Sequence, residues 1–348
     1  MSIKSHHSAS IDDCPPARIV VTTAIAKNFL PFARVLAGSI RRFHPDLGIY
    51  VLLVDGADGR FDPAREPFEF VSLGDLAIPD LAAFRRRYSR KEIAAAAKPY
   101  LLEHVLARRA QAAVFLDPDI LVLADLGDIL DHVQRHAVTL TPHMLVPPGG
   151  LDRIGRETNV LLAGVYNAGF VGVSDRPSGR GFLAWWMDRV LRQCRHEVGR
   201  GRYFDQRWLD LAAVFFDDVS IIRDPACNVA YWNLCEREIR LDGERVLVDG
   251  NPCKFFHFSG FDPLRSARVT RYRRRLEMAR IGAVQELYLR YGALLKAAGY
   301  GEAILWPYTH ASPLRRAVEG CRFWAARAFG RRGTPWRRNR NDVDAREC

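Results

Sequence analysis

The chain has 348 residues, 48% hydrophobic and 26% charged, proportions that fit one large α/β domain with an appendage, or two domains. No run of about eighteen uncharged apolar residues occurs, so no helix is expected to span a bilayer. The net charge of +11 is held unevenly: residues 265–348 carry 19 Lys and Arg against 7 Asp and Glu, and the remainder 32 against 33.

Roughly the first fifteen residues lack the apolar segment of a secretory signal, and residues 1–16 read as a disordered N-terminus. Arg18–Ile25 is a β-branched strand, followed by an amphipathic helix over Phe29–Phe43. Ile49–Val54 is a second buried strand ending at the Asp55-Gly56 turn, and Phe68–Ser72 a short third. Ser89–Arg109 opens with an N-cap serine and Glu92 three residues on, then runs through helix formers, with Pro99 imposing a bend or restart. Ala112–Leu116 is an apolar central strand; Ala137–Leu140 and Gly169–Val173 are strands, and Gly181–Arg195 and Phe204–Val214 helices. Short strands are expected at Val219–Ile222, Val246–Val248 and Lys254–Phe258, then helices at Arg268–Ile281 and Ala283–Ala298. This order predicts an α/β protein, a doubly wound mixed sheet with a C-terminal helical extension: a domain over 17–265, the extension over 266–312 and a basic amphipathic tail over 313–348. Seven irregularly spaced cysteines with no CxxC pair read as small core residues in a reducing cytoplasm.

Asp117-Pro118-Asp119 follows the central strand directly. On extended backbone, two carboxylates two residues apart project to one side, here at the carboxyl end of a buried strand, where open α/β sheets bind ligands. A hard divalent cation accepts such carboxylates and keeps positions open for phosphate oxygens. The spacing alone does not decide, since Asp342-Val343-Asp344 repeats it in a polar terminus. Other segments carry chemistry beside it. His257 lies in the aromatic run Lys254–Phe261, with Gly260 three residues on, and reads as a core histidine or as a metal ligand. Tyr166-Asn167-Ala168-Gly169-Phe170 places an amide and two small residues at a strand entrance. Asp205 is an N-cap or, with Gln206, a group facing a developing oxocarbenium ion. Lys98 is a surface lysine or a diphosphate partner, and Tyr231, Trp232 and Asn233 are core or an acceptor wall.

In chain order RIVVTTAI, LDPDI, YNAGF, FDQRWLDL, NVAYWN and HFSG resemble GT-A fold glycosyltransferases, most closely the retaining glycosyltransferase family 8 and its bacterial relatives, over roughly residues 18–263. The resemblance implies a hexosyltransferase-type enzyme. It would use a nucleotide-sugar donor, a UDP-sugar in that family's manner, and a glycan or glycolipid acceptor, with Mn2+ or Mg2+ and retention of configuration. It implies Asp117, Asp119 and His257 as metal ligands and Asp205 and Gln206 as catalytic residues. Donor contacts are implied at Thr23, Ala24, Asp55, Lys98, Asp117, Asn167, Ala168 and Gly260, and acceptor contacts at Tyr231, Trp232 and Asn233. Three positions depart from the family pattern. Pro263 stands where the family has a diphosphate-binding lysine, with Arg265 or Arg268 as substitutes. Thr22–Ile25 lacks the acidic residue that reads uracil, and Lys98 replaces an arginine.

Two other classes compete. A sugar nucleotidyltransferase would carry a glycine- and cation-rich loop after its first strand, whereas Thr22–Phe29 offers only Lys27. A non-catalytic adaptor of the same fold would bind an anionic surface. Val318, Phe323, Trp324 and Phe329 among arginines suit residues 313–340 to an anionic membrane face or to a solvated tail, and a cytoplasmic, peripheral inner-membrane location is expected. No zinc, helix-turn-helix or RNP pattern supports a nucleic-acid partner.

Overall fold

The computed structural model describes residues 19–108, 110–273 and 276–310. Strands β1 (Val20–Ile25), β2 (Gly48–Leu53) and β3 (Glu69–Ser72) come first, with α1 (Leu30–Arg41) between β1 and β2. Helices α2 (Leu81–Arg87), α3 (Arg90–Ala96) and α4 (Lys98–Ala107) then lead to β4 (Ala112–Leu116). β5 (Ile120–Val122), α5 (Gly127–Arg135), β6 (Val138–Pro142), α6 (Arg153–Ala163), β7 (Tyr166–Ser174) and α7 (Pro177–Gln193) follow. The second half holds β8 (Arg195–Glu197), β9 (Arg202–Phe204), α8 (Ala212–Phe215) and β10 (Val219–Ile221). It closes with β11 (Ile239–Asp242), β12 (Arg245–Val248), β13 (Asn251–Pro252), β14 (Phe255–His257), α9 (Val284–Ala297) and α10 (Tyr300–Ala303).

Seven strands form the central sheet in the order β10-β6-β7-β4-β1-β2-β3. β7 alone runs against its neighbours β4 and β6; the other pairings are parallel. Every residue of β1 and β4 is buried, as covering both faces of a parallel sheet requires. Successive side chains serve opposite layers: Val20 and Ala24 join Leu101, Leu102 and Trp186, while Val21 and Ile25 join Leu36, Ile40 and Val133. The sheet is thus doubly wound, as expected. A third cluster packs Val284, Leu287, Tyr288 and Tyr291 of α9 against Phe256, Phe258 and Phe261, so the C-terminal helices close over the segment that follows β14.

The helix expected over Ser89–Arg109 breaks at Ala97. Ser89 and Glu92 form a capping box on α3, and Pro99 sits in the first turn of α4, where a missing N–H costs nothing. Two expected helices are corrected. Residues 204–214 form a 3-10 run, Gln206–Leu211, before α8. The described residues of 268–281 are irregular apart from the 3-10 turn Met278–Arg280: Val269 N donates to Leu276 O and Met278 N to Ala267 O, an antiparallel pairing that excludes a helix there. The N-terminus 1–16 and the basic tail 313–348 lie outside the described residues. Among the described residues no helix is long and apolar enough to cross a membrane.

Candidate active site

The carboxylate pair is brought together by a turn rather than by strand alternation, which corrects the expectation of extended backbone. Ile120 N donates to Asp117 O at 3.1 Å, with Pro118 at the second position of the turn, where its fixed φ is favoured. The apolar residues behind the turn become β5, and β14 pairs antiparallel to β5 with His257 opposite Ile120. That register sets His257 Nε2 at 3.0 Å from Asp119 Oδ1 and 3.7 Å from Asp117 Oδ2. Phe258 N donates to Asp119 O and His257 N to Val229 O, which fixes the backbone on both sides. The His257 ring passes so close to β7 that a Cβ on Gly169 would lie 2.5 Å from its Cε1. Glycine is required there for space, not for backbone freedom. Burial works against a charged His257, but Asp119 outweighs it and the imidazole pKa is raised. Burial pushes the Asp119 carboxyl up, and His257 and Arg271 more than offset it, leaving the pKa lowered.

Lys98, at the start of α4, connects this cluster to a second acid. Its ammonium lies 3.1 Å from Asp117 Oδ1 and 3.2 Å from Asp205 Oδ2, donates to Ala168 O at 3.0 Å, and stands 4.7 Å from the Phe115 ring centroid. Lys98 and Asp205 are buried; Asp117 is 28% exposed and Asp119 19%, so the open side of the cluster is the carboxylate side. Burial disfavours the Lys98 cation, but Asp117 and then Asp205 reverse this and its pKa is raised. Asp205 moves up because burial exceeds the help from Lys98. Phe204, just before it, has φ 50, a conformation that costs a non-glycine residue about 1 kcal/mol or more.

Gln206 has a different task from the one expected. Its Oε1 accepts from Ala168 N and Asn167 Nδ2, and its Nε2 donates to Ala163 O, so the amide braces the start of β7 rather than facing a sugar. Asn167 is similarly engaged: Oδ1 accepts from Gly169 N, and Nδ2 reaches His143 Nε2 at 3.1 Å. His143 carried no signal in the sequence. Burial lowers its pKa to about 4, and a neutral ring donating from Nδ1 to Val165 O and accepting at Nε2 satisfies both neighbours. Trp232 packs edge-on against His257 and His143, each at 5.2 Å, with Tyr231 at 5.1 Å from it. Those two aromatics therefore border the cluster.

Asn233 corrects the expected acceptor wall. It is fully buried, donates to His143 O and Asn228 O and accepts from Ala230 N, so both amide hydrogens and one oxygen lone pair are already committed to backbone and the side chain is shielded from any ligand. Thr23 and Ala24 are buried inside β1, in register with Val51 and Leu52. Asp55 belongs to a neighbouring network. It accepts from Lys27 N at 2.8 Å and lies 3.5 Å from Lys27 Nζ, which also binds Asp58 and Thr309. Gly260 has φ +74, and a Cβ there would stand 2.6 Å from the Tyr272 ring, so Tyr272 rather than a ligand fills its open face. Of the arginines weighed as substitutes for the missing lysine, Arg265 lies near Asp262 and Arg268 bridges to Glu277; both are exposed.

Three ligand atoms, one each from Asp117, Asp119 and His257, lie within 4.8 Å of one another. Two carboxylate oxygens and one imidazole nitrogen make an oxygen-rich set that fits Mn2+ or Mg2+. His257 Nδ1 is buried without a partner among the described residues, so orientation of the ring comes from Gly169 and Trp232 packing.

No protein-family model matches the chain. It is 28% identical over 244 residues to uncharacterized protein YfnF of Bacillus subtilis (strain 168), covering 69% of this chain and 80% of that protein. It is 27% identical over 233 residues to uncharacterized protein YfnD of the same organism, covering 64% and 71%. Among solved structures, the galactosyltransferase LgtC in complex with donor and acceptor sugar analogs aligns at 16% identity and TM-score 0.43, over 86% of this chain and all but 1% of that one (99%). The glycosyltransferase GlyE of Streptococcus pneumoniae TIGR4 aligns at 16% identity and TM-score 0.47, over 85% and 66%.

Proposed function

We propose that the protein is a glycosyltransferase that moves a sugar from a nucleotide-diphosphate donor, a UDP-sugar first among candidates, to a glycan or glycolipid hydroxyl with retention of configuration. The observation that carries this reading is the convergence of Asp117, Asp119 and His257 at the carboxyl end of β4, with the Lys98–Asp205 pair joined to it through Asp117. The motif order resembling GT-A enzymes supports it. A bound Mn2+ or Mg2+ would neutralise charge developing on the leaving diphosphate. Lys98 holds Asp205 and Asp117 in one geometry and supplies a fixed positive charge on the inner side of the cleft. Asp205, paired with that lysine at 3.2 Å, would present its carboxylate toward an oxocarbenium-like carbon. Gln206, Asn167 and His143 keep the first residues of β7 in place, so the donor pocket is preorganised. With Asp205 tied to Lys98, same-face attack, in which the departing phosphate takes the acceptor proton, is the simpler route to retention.

A screen of UDP-, GDP- and dTDP-sugars with and without Mn2+, read as nucleotide release, tests the reading. Metal-dependent release with one donor is expected, and its loss in Asp119→Ala. No binding or release with any donor and either metal would sink the proposal and favour the adaptor class.

A further inference from the structure

The segment after β14 returns across the cleft and carries cations that the proposed reaction has not used. Thr270 Oγ1 donates to Ser259 O at 2.8 Å, and Arg271 N donates to Gly260 O at 3.0 Å, so residues 270–272 are fastened to the turn that follows His257. The Tyr272 ring lies over Gly260, where any side chain would displace it. From the opposite wall, α3 sends Lys91 to the same ring. Its Nζ is 3.3 Å from Tyr272 Oη, 5.4 Å from that ring's centroid and 4.5 Å from the Phe204 centroid, next to Asp205. The Arg271 guanidinium stands 5.2 Å from the Tyr272 centroid. Two cations thus share one aromatic ring, separated by no more than the sum of those distances, roughly a Debye length at 0.1 M salt. Among the described residues neither forms a salt bridge, and both side chains are exposed. Tyr203 and Tyr231 both lie within electrostatic reach of Tyr272, and Tyr231 of Arg273 as well.

Two exposed cations on one ring, only one of them within electrostatic reach of Asp119, and beside aromatic faces suited to sugar rings, favour an anionic ligand. We propose that Lys91 and Arg271, arranged on Tyr272, form an acceptor subsite for a phosphate or carboxylate carried on a sugar. The acceptor would therefore be an anionic saccharide rather than a neutral one. This rests on the sugar-transfer reading of the cleft and adds the acceptor's chemical class. A donor diphosphate offers the same phosphate chemistry and would sit at the carboxylates Asp117 and Asp119, within electrostatic reach of Arg271, whereas Lys91 approaches from the Phe204 side and separates the two.

The test uses calorimetric titration of the full chain with matched probes, hexose 6-phosphates and the corresponding methyl hexosides, each with and without saturating UDP and Mn2+. At least one charged probe should bind about tenfold tighter than its neutral match, the scale of one charge-assisted contact pair. The preference should persist with UDP and Mn2+ present, and fall below about threefold in Lys91→Ala and Arg271→Ala while Lys91→Arg retains it. Lys91 is exposed, so its variants should melt as the wild type does. Equal binding of every charged and neutral pair, displacement of the charged probe by UDP with Mn2+, or an unchanged preference in both alanine variants would each overturn the subsite. Failure of the underlying reading shows separately, as an absence of UDP binding with Mn2+.

Discussion

Replacing Lys98 with methionine tests the electrostatics of the cleft most directly, because methionine keeps the buried stem and removes only the charge. In the native protein one ammonium serves Asp117 at 3.1 Å and Asp205 at 3.2 Å. Asp117 is 28% exposed and can hydrate, but the Asp205 side chain is 4% exposed and Lys98 is its ion-pair partner. Removing one member of a buried pair typically costs about 3–5 kcal/mol; with the solvent-facing acid discounted, about 3 kcal/mol is expected near pH 8. For a domain of this size that lowers Tm by about 6–12 °C. The pH dependence distinguishes this cause from lost packing. Asp205 already has a raised pKa through burial, and losing Lys98 raises it further. A carboxyl whose folded pKa exceeds its unfolded value contributes stability that is present at low pH and is lost as pH rises through the folded pKa. The variant's deficit should therefore shrink between pH 8 and pH 5, whereas in the wild type the raised Lys98 pKa leaves that contribution flat over the range. Urea unfolding at four pH values measures it, with Lys98→Met/Asp205→Asn as the second arm, expected to recover more than half the loss. A pH-independent deficit below about 1 kcal/mol would refute the buried-triad account.

Asp119→Ala should melt below the wild type in metal-free buffer, because His257 loses its ion-pair partner, and should also lose the stabilisation by Mn2+, which for an intact site is about 2.7 kcal/mol at a hundredfold excess over Kd; thermal shifts with and without Mn2+ decide it. Gly169→Ala places a methyl 2.5 Å from both His257 Cε1 and Asn167 Oδ1, so about 1–3 kcal/mol of overpacking is expected, together with weakened Mn2+ binding measured by titration; unaltered metal affinity would show that the ring tolerates displacement. Asn233→Ala removes three hydrogen bonds from a fully buried amide and should cost about 2–4 kcal/mol of stability with no acceptor-selective change in KM; a KM effect on acceptor alone, at unchanged Tm, would return Asn233 to the acceptor wall.

The carboxylate pair was legible because an apolar run of strand length stops abruptly at Asp117-Pro118-Asp119. The geometry that unites the pair was not, since proline at the second position favours a turn as readily as an exit from a strand. His257 was legible as a candidate only, yet the chain contains the device that positions it. Ile120–Val122 is too short and apolar to remain a loop, and it needs a partner strand; Phe255–His257 supplies one. One residue of slip in that pairing would turn His257 away from Asp119, so β5 is as necessary to the cluster as the acids are.

The misread parts fail for a shared physical reason. Arg268–Ile281 has helix-forming composition, but Thr270 and Arg271 are fixed by the turn at Ser259-Gly260, and that tertiary constraint outweighs about half a kcal/mol per residue of helix propensity. Asp55 has the look of a turn residue, and its actual partners are Lys27 and a segment more than 250 positions away at Thr309. Gln206 and Asn233 carry polar groups that suit a sugar, and the same groups suit orphaned backbone donors and acceptors. Side-chain chemistry identifies what a residue can bind; only the burial of its neighbours determines whether any of that capacity is left. By that criterion Asp117 and Asp119, partly exposed, and Lys91 and Arg271, exposed and outside any salt bridge among the described residues, keep binding capacity, and the two proposals rest on those groups rather than on Gln206 or Asn233.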